Sequence, residues 1–126
     1  MKIKQILLAS LLVLAATMAH ALDIQPYTAA NLAAAQKADK PVALHFHADW
    51  CPTCRTQTAV LQNLKSEKGL DLTVLVANYD TEKALKRRFK VNAQSTLIVL
   101  KGQKEVARLV GDTTADGIRT ALKSAL

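Results

Sequence analysis

Val42-Ala43-Leu44-His45-Phe46-His47-Ala48-Asp49-Trp50-Cys51-Pro52-Thr53-Cys54 decides how this chain reads. Residues 42–48 form a compact apolar run, the pattern of a buried strand. The only two cysteines follow at once, two residues apart. A helical pattern then runs to about Lys65, with Val60, Leu61 and Leu64 on its inward face. This is the layout of a dithiol that cycles between two thiols and a disulfide. Cys51 is expected at the helix N-terminus. Pro52 fits the first helical position, where its missing N–H is no loss. A thiolate at Cys51 then faces unpaired backbone N–H groups and the positive end of the helix dipole. Both lower its pKa from the free value near ~8.5. Cys54 falls on the same face one turn later, where we expect it to be more buried and to keep its proton longer. Cys51 is therefore the attacking thiol and Cys54 the resolving one, the pair forming a redox disulfide.

The remaining pattern alternates helices and strands. Pro26 to Lys40 reads as a helix, with Ala29, Leu32, Ala33 and Gln36 at helical spacing and Pro41 ending it. Leu72 to Ala77 is nearly all apolar, as a central strand covered on both faces should be. Asp80 or Thr81 can cap a helix carrying Ala84, Leu85, Arg88 and Phe89. Leu97 to Leu100 is a further buried strand. Gly102-Gln103 turns the chain, and 105–110 returns as an edge strand with interleaved charges. Thr113 with Asp116 resembles a capping box ahead of a last helix burying Ile118, Ala121, Leu122 and Ala125. The expected fold is α/β: a βαβ unit, then a hairpin and a terminal helix, giving one mixed sheet with helices on both faces.

The chain has 126 residues and a formal charge of +7, room for one domain with a modest core. Lys2 and Lys4 precede an apolar run, Ile6 to Met18, and Ala19-His20-Ala21 closes it. A basic start, a short apolar middle and an Ala-x-Ala exit make a secretory signal peptide over residues 1–21, leaving a domain over 22–126. The run is short for a membrane span. Loss of Lys2 and Lys4 lowers the charge from +7 to +5. We therefore expect a periplasmic protein. In such a compartment a cysteine pair is usually a staple. This pair closes so small a loop that it removes little unfolded-state entropy, which favours redox chemistry.

The run Ala48-Asp49-Trp50-Cys51-Pro52-Thr53-Cys54, its place after a strand, and Asn78-Tyr79-Asp80 after the next strand resemble the thioredoxin superfamily over roughly residues 40 to 126. The resemblance implies a thioredoxin fold and thiol–disulfide oxidoreductase activity, with no cofactor. Trp-Cys-Pro-Thr-Cys is also similar to the motif of periplasmic thioredoxin-like reductants of cytochrome c maturation. That likeness implies exported disulfide-bearing substrates, re-reduction by a membrane electron donor, and a monomer. The uncharged Pro52-Thr53 pair stabilises a thiolate less than a Cys-Pro-His-Cys motif would, so the dithiol leans to the reducing direction. Ser95, in Ala93-Gln94-Ser95-Thr96-Leu97, stands where the superfamily has a cis-proline. A cis bond at a non-proline costs about 2.5–4 kcal/mol. We expect either a trans bond with a shifted loop or a strained cis bond. By the same resemblance, Trp50, Ser95 and Thr96 are the substrate-contact loop. His45 stands six residues before Cys51, where relatives often have a buried Asp, and is a candidate proton acceptor for Cys54; a neutral core histidine is the alternative. Val76 replaces a lysine often found near that acid.

His45 and His47 alternate along a strand and so share a face. Together with Cys51 and Cys54 they give a second reading, an exported copper- or zinc-handling module, although Cys-x-x-Cys supplies only half of a closed metal site. Lys83, Lys86, Arg87, Arg88 and Lys90 cluster on one predicted helix. Without interleaved aromatics they read as a solvated face, and no nucleic-acid partner is expected.

Overall fold

The computed structural model describes residues 21–126. The proposed leader lies outside the described residues, apart from Ala21. The elements run β1 (Asp23–Pro26), α1 (Ala29–Lys37), β2 (Pro41–His47), α2 (Pro52–Leu64), β3 (Thr73–Asn78), α3 (Lys83–Phe89), β4 (Thr96–Lys101), β5 (Lys104–Val110) and α4 (Ala115–Lys123). They build one mixed five-stranded sheet in the order β1-β3-β2-β4-β5. β2 is central. It pairs with β3 in parallel and with β4 in antiparallel, so residues 42–46 are covered on both sides and both faces.

Strand alternation sorts the core into two layers. Ala43, Val74, Leu97 and Val99 face Leu61 and Leu64 of α2 and Ile118 and Leu122 of α4. Val42, Leu44, Phe46, Leu75, Ile98 and Leu100 face Leu32 of α1 and Leu85 of α3. His45 and His47 point to the α2 side, their ring centroids 5.6 Å apart. Among the described residues no helix is long and apolar enough to cross a membrane.

The sheet departs from the sequence expectation at its start. Residues 23–26 form a strand, whereas Pro26 was expected to open a helix. β1 pairs in parallel with β3 from Asp23↔Thr73 to Pro26↔Val76. Backbone pairing at an edge needs no apolar alternation, and an edge tolerates a proline. α1 starts later, capped by the Thr28 hydroxyl, which accepts from the Asn31 N–H at 3.0 Å. Two other caps also shift. The N-cap of α3 is Glu82, without a side-chain bond. That of α4 is Thr114, whose hydroxyl accepts from the Gly117 N–H. Gly102 turns β4 into β5 with φ +57, and a side chain there would run into Asp39.

Phe46 has no exposed surface. Phe46→Ala should lower unfolding free energy by about 3–5 kcal/mol, seen as a lower urea midpoint. A loss below about 1 kcal/mol would mean that this layer repacks freely.

Candidate active site

The dithiol sits where β2 hands over to α2. Cys51 is the N-cap of α2 in an extended conformation, and Pro52 follows at the helix start. The Cys51 sulfur accepts the Cys54 N–H at 3.1 Å. It therefore takes up one of the donors that a helix N-terminus leaves unpaired. Cys51 and Cys54 are joined as a disulfide, with Cα atoms 5.2 Å apart. Cys54 was expected to be the more buried. Instead both are buried, at 1% and 0% exposure. Their asymmetry lies in hydrogen bonding, because the backbone donor is aimed at Cys51.

Ser95 lies directly against the disulfide. Its Oγ is 3.2 Å from the Cys51 sulfur and 3.1 Å from the Cys54 sulfur. No cis peptide bond occurs among the described residues, and Ser95 takes a left-handed backbone with φ +63. Of the two expected forms, the trans bond with a changed loop is the one found. Three hydrogen bonds hold this conformation. The Ser95 N–H donates to the Phe46 carbonyl at 3.1 Å. The Ser95 carbonyl accepts from the Gly111 N–H at 3.0 Å and from Gln57 Nε2 at 3.0 Å. Ser95 and Thr96 are buried, and the Thr96 hydroxyl donates to the Ala93 carbonyl. Of the expected substrate-contact residues, only Trp50 presents its side chain at the surface. Its indole N–H donates to Asp80 at 2.8 Å. The chain turns through Tyr79, Asp80 and Thr81 before α3 begins, so Asp80 lies ahead of the cap position.

His45 is tied to Gln57, its Nε2 lying 2.9 Å from Gln57 Oε1. Gln57 Nε2 donates to the carbonyls of Ser95 and Asp112. Gln57 Oε1 is thus the acceptor, and His45 must carry its hydrogen on Nε2. Burial lowers the His45 pKa from 6.5 to about 4, against a smaller upward pull from the Gln57 hydrogen bond. His45 is neutral at pH 7. Among the described residues, no hydrogen bond joins it to either sulfur, and its buried Nδ1 has no partner. The geometry gives His45 the part of a core histidine that orients Gln57.

His47 bonds to Asp49 through Nε2 at 3.0 Å and lies 3.4 Å from the Thr58 hydroxyl through Nδ1. Among the described residues no three His, Cys, Asp or Glu side chains gather as a metal site. The donor set of the metal-handling alternative is therefore not brought together. In the basic cluster, Lys86 stacks on the Tyr79 ring at 3.8 Å, and Arg88 donates to Gln36. Val76 lines a shallow pocket with His47, Asp49, Trp50, Asn78 and Asp80. Gln57 is the site residue that sequence reasoning overlooked. Its signal was a polar residue in the inward stripe Cys54, Gln57, Leu61, Leu64.

The thioredoxin family model matches residues 24–124. This chain belongs to the thioredoxin family. It is 38% identical to the thioredoxin of Mycobacterium tuberculosis over 73 residues, 58% of this chain. The matched stretch spans 63% of that relative's length. It is 31% identical to the thioredoxin of Alicyclobacillus acidocaldarius over 99 residues, covering 79% of this chain and 94% of the relative. Among solved structures it superposes on Trxlp from Edwardsiella tarda with a TM-score of 0.74 and 36% identity, over 79% of this chain and 98% of that one. The family match thus begins ahead of residue 40, where the motif resemblance starts, and reaches into β1.

The His45 pKa fixes a sign for stability. Between pH 6.5 and about 4 the unfolded chain binds a proton that folded His45 refuses. Stability is then full above pH 6.5 and falls by about 3 kcal/mol as the pH drops to about 4. Urea midpoints should decline over that window in the native protein and less steeply in His45→Gln. Equal slopes would mean that His45 is not buried neutral.

Proposed function

We propose that this thioredoxin-family protein is an exported thiol–disulfide oxidoreductase that reduces or exchanges disulfides in periplasmic proteins. The observation that carries the reading is the Cys51–Cys54 disulfide with Cys51 capping α2. In the reduced state, the Cys51 thiolate attacks a substrate disulfide. A mixed disulfide forms, and one substrate thiolate leaves and takes a proton from water. Cys54 then loses its proton, and its sulfur attacks Cys51. The second substrate thiolate leaves and is protonated, and the Cys51–Cys54 disulfide closes. Two electrons pass from protein to substrate, and all the chemistry belongs to the two sulfurs.

The reducing direction is supported by the uncharged Pro52-Thr53 pair, which adds no cation beside the thiolate. Export is supported by the pattern of Lys2, Lys4, the apolar run and Ala19-His20-Ala21. The likeness of Trp50-Cys51-Pro52-Thr53-Cys54 to periplasmic reductants of cytochrome c maturation supports both. A membrane electron donor would return two electrons to the disulfide after each cycle. Exposed Trp50, held by Asp80, is the side chain placed to meet a substrate beside the dithiol.

An insulin turbidity assay tests this function. Protein recovered from the periplasm should begin at Leu22 and reduce insulin in the presence of a small dithiol. Cys51→Ala should abolish the activity. Cys54→Ala should leave a mixed disulfide trapped on Cys51. Undiminished reduction by Cys51→Ala would overturn the mechanism.

A further inference from the structure

We propose that the Ser95 hydroxyl is a catalytic hydrogen-bond donor to the Cys51 thiolate and selects which of the two thiols ionises. The inference rests on the dithiol reading above and adds to it a third reacting-site residue. Ser95 lies 44 residues from Cys51 and 41 from Cys54 in sequence, yet its Oγ is within 3.2 Å of both sulfurs. It is 3% exposed.

In the disulfide neither sulfur carries a hydrogen, so the hydroxyl is the donor, and its one hydrogen is shared between the two sulfurs. Reduction changes the partners. A hydroxyl has one hydrogen to give and lone pairs to accept with. The Cys54 S–H can donate to Ser95 Oγ while the Ser95 O–H donates to the Cys51 thiolate. Charge on Cys51 and a proton on Cys54 are favoured together. The reverse arrangement loses the Cys54 N–H, which points at the Cys51 sulfur at 3.1 Å. Two donors therefore converge on Cys51, one from the backbone and one from Ser95. Hydrogen bonds to a charged acceptor are about twice as strong as neutral ones, and burial leaves little water to screen them.

The backbone is built to keep the hydroxyl there. A left-handed serine is sterically costly and persists only where its surroundings hold it. The bonds to Phe46, Gly111 and Gln57 hold it. A proline ring fixes φ near −65° and brings no donor, so proline could supply neither the conformation at φ +63 nor the hydrogen bond. Ser95 keeps its own proton throughout turnover. It changes hydrogen-bond partners as charge comes and goes on Cys51, and electrons pass between sulfurs alone.

Ser95→Gly is the cleanest test, because glycine adopts this backbone without strain and only the hydroxymethyl is lost. Ser95→Ala is the second variant and keeps the backbone restricted. Thiolate absorbance of the reduced protein is followed against pH. Both variants should raise the Cys51 pKa by about one unit. Below the native midpoint, iodoacetamide should then label Cys51 about tenfold more slowly, and the glutathione equilibrium should move towards the disulfide. Native pKa values in both variants would overturn the role of Ser95 and leave the proposed function standing. The pKa readout needs no substrate, so a protein that fails to reduce insulin counts against the proposed function alone.

Discussion

The Gln57 carboxamide joins three parts of the chain, and the geometry of the site depends on it. It accepts from His45 on β2, donates to the Ser95 carbonyl before β4, and donates to the Asp112 carbonyl before α4. It is itself on α2, one turn after Cys54, and only 1% exposed. A buried amide with a missing partner costs about 1–3 kcal/mol. Any shift of α2 against the sheet would break at least one of these bonds. The network therefore fixes where the helix N-terminus falls relative to Ser95, and so where both sulfurs lie. A neutral His45 follows from the same arrangement, since protonation at Nδ1 would bury a charged ring with an N–H that has no acceptor.

Two influences on the dithiol act in opposite directions. Thr53 brings no charge to the helix start, which on the proposed reading leaves the thiolate modestly stabilised and the disulfide favoured. Ser95 supplies a donor, which stabilises the thiolate and favours the dithiol. The helix terminus adds to the second influence through the Cys54 N–H. The potential of the couple is the balance of these three groups. The Ser95 and Cys54 contributions are hydrogen bonds within the first turn of α2 or against it.

Much of this was legible in the sequence because the local rules agree with one another. The apolar run at 42–48, the N-cap cysteine and Pro52 point to the same strand–helix junction. Periodicity marked four helices and the strands around β2. β1 was not legible because Asp23, Gln25 and Pro26 are poor strand formers, and backbone pairing with Thr73–Val76 makes the strand. The cap of α3 was misplaced because a turn at residues 79–81, closed by the Glu82 N–H on the Asn78 carbonyl, delays the helix start to Lys83. Ser95 was marked by its departure from a family pattern, but its contact with both sulfurs is long-range. His45 drew notice for its place below the motif. Its tautomer and its separation from the sulfurs depend on Gln57, whose polarity in an apolar stripe was the overlooked clue.

The central claim is that this fold singles out Cys51 as the ionised thiol. Alkylation of the reduced protein across pH, with each cysteine followed by peptide mass, tests it most directly. Cys51 should react first, with a midpoint below the free-cysteine value near ~8.5, and Cys54 only at higher pH. Equal labelling with both midpoints near ~8.5, or Cys54 reacting first, would contradict the account.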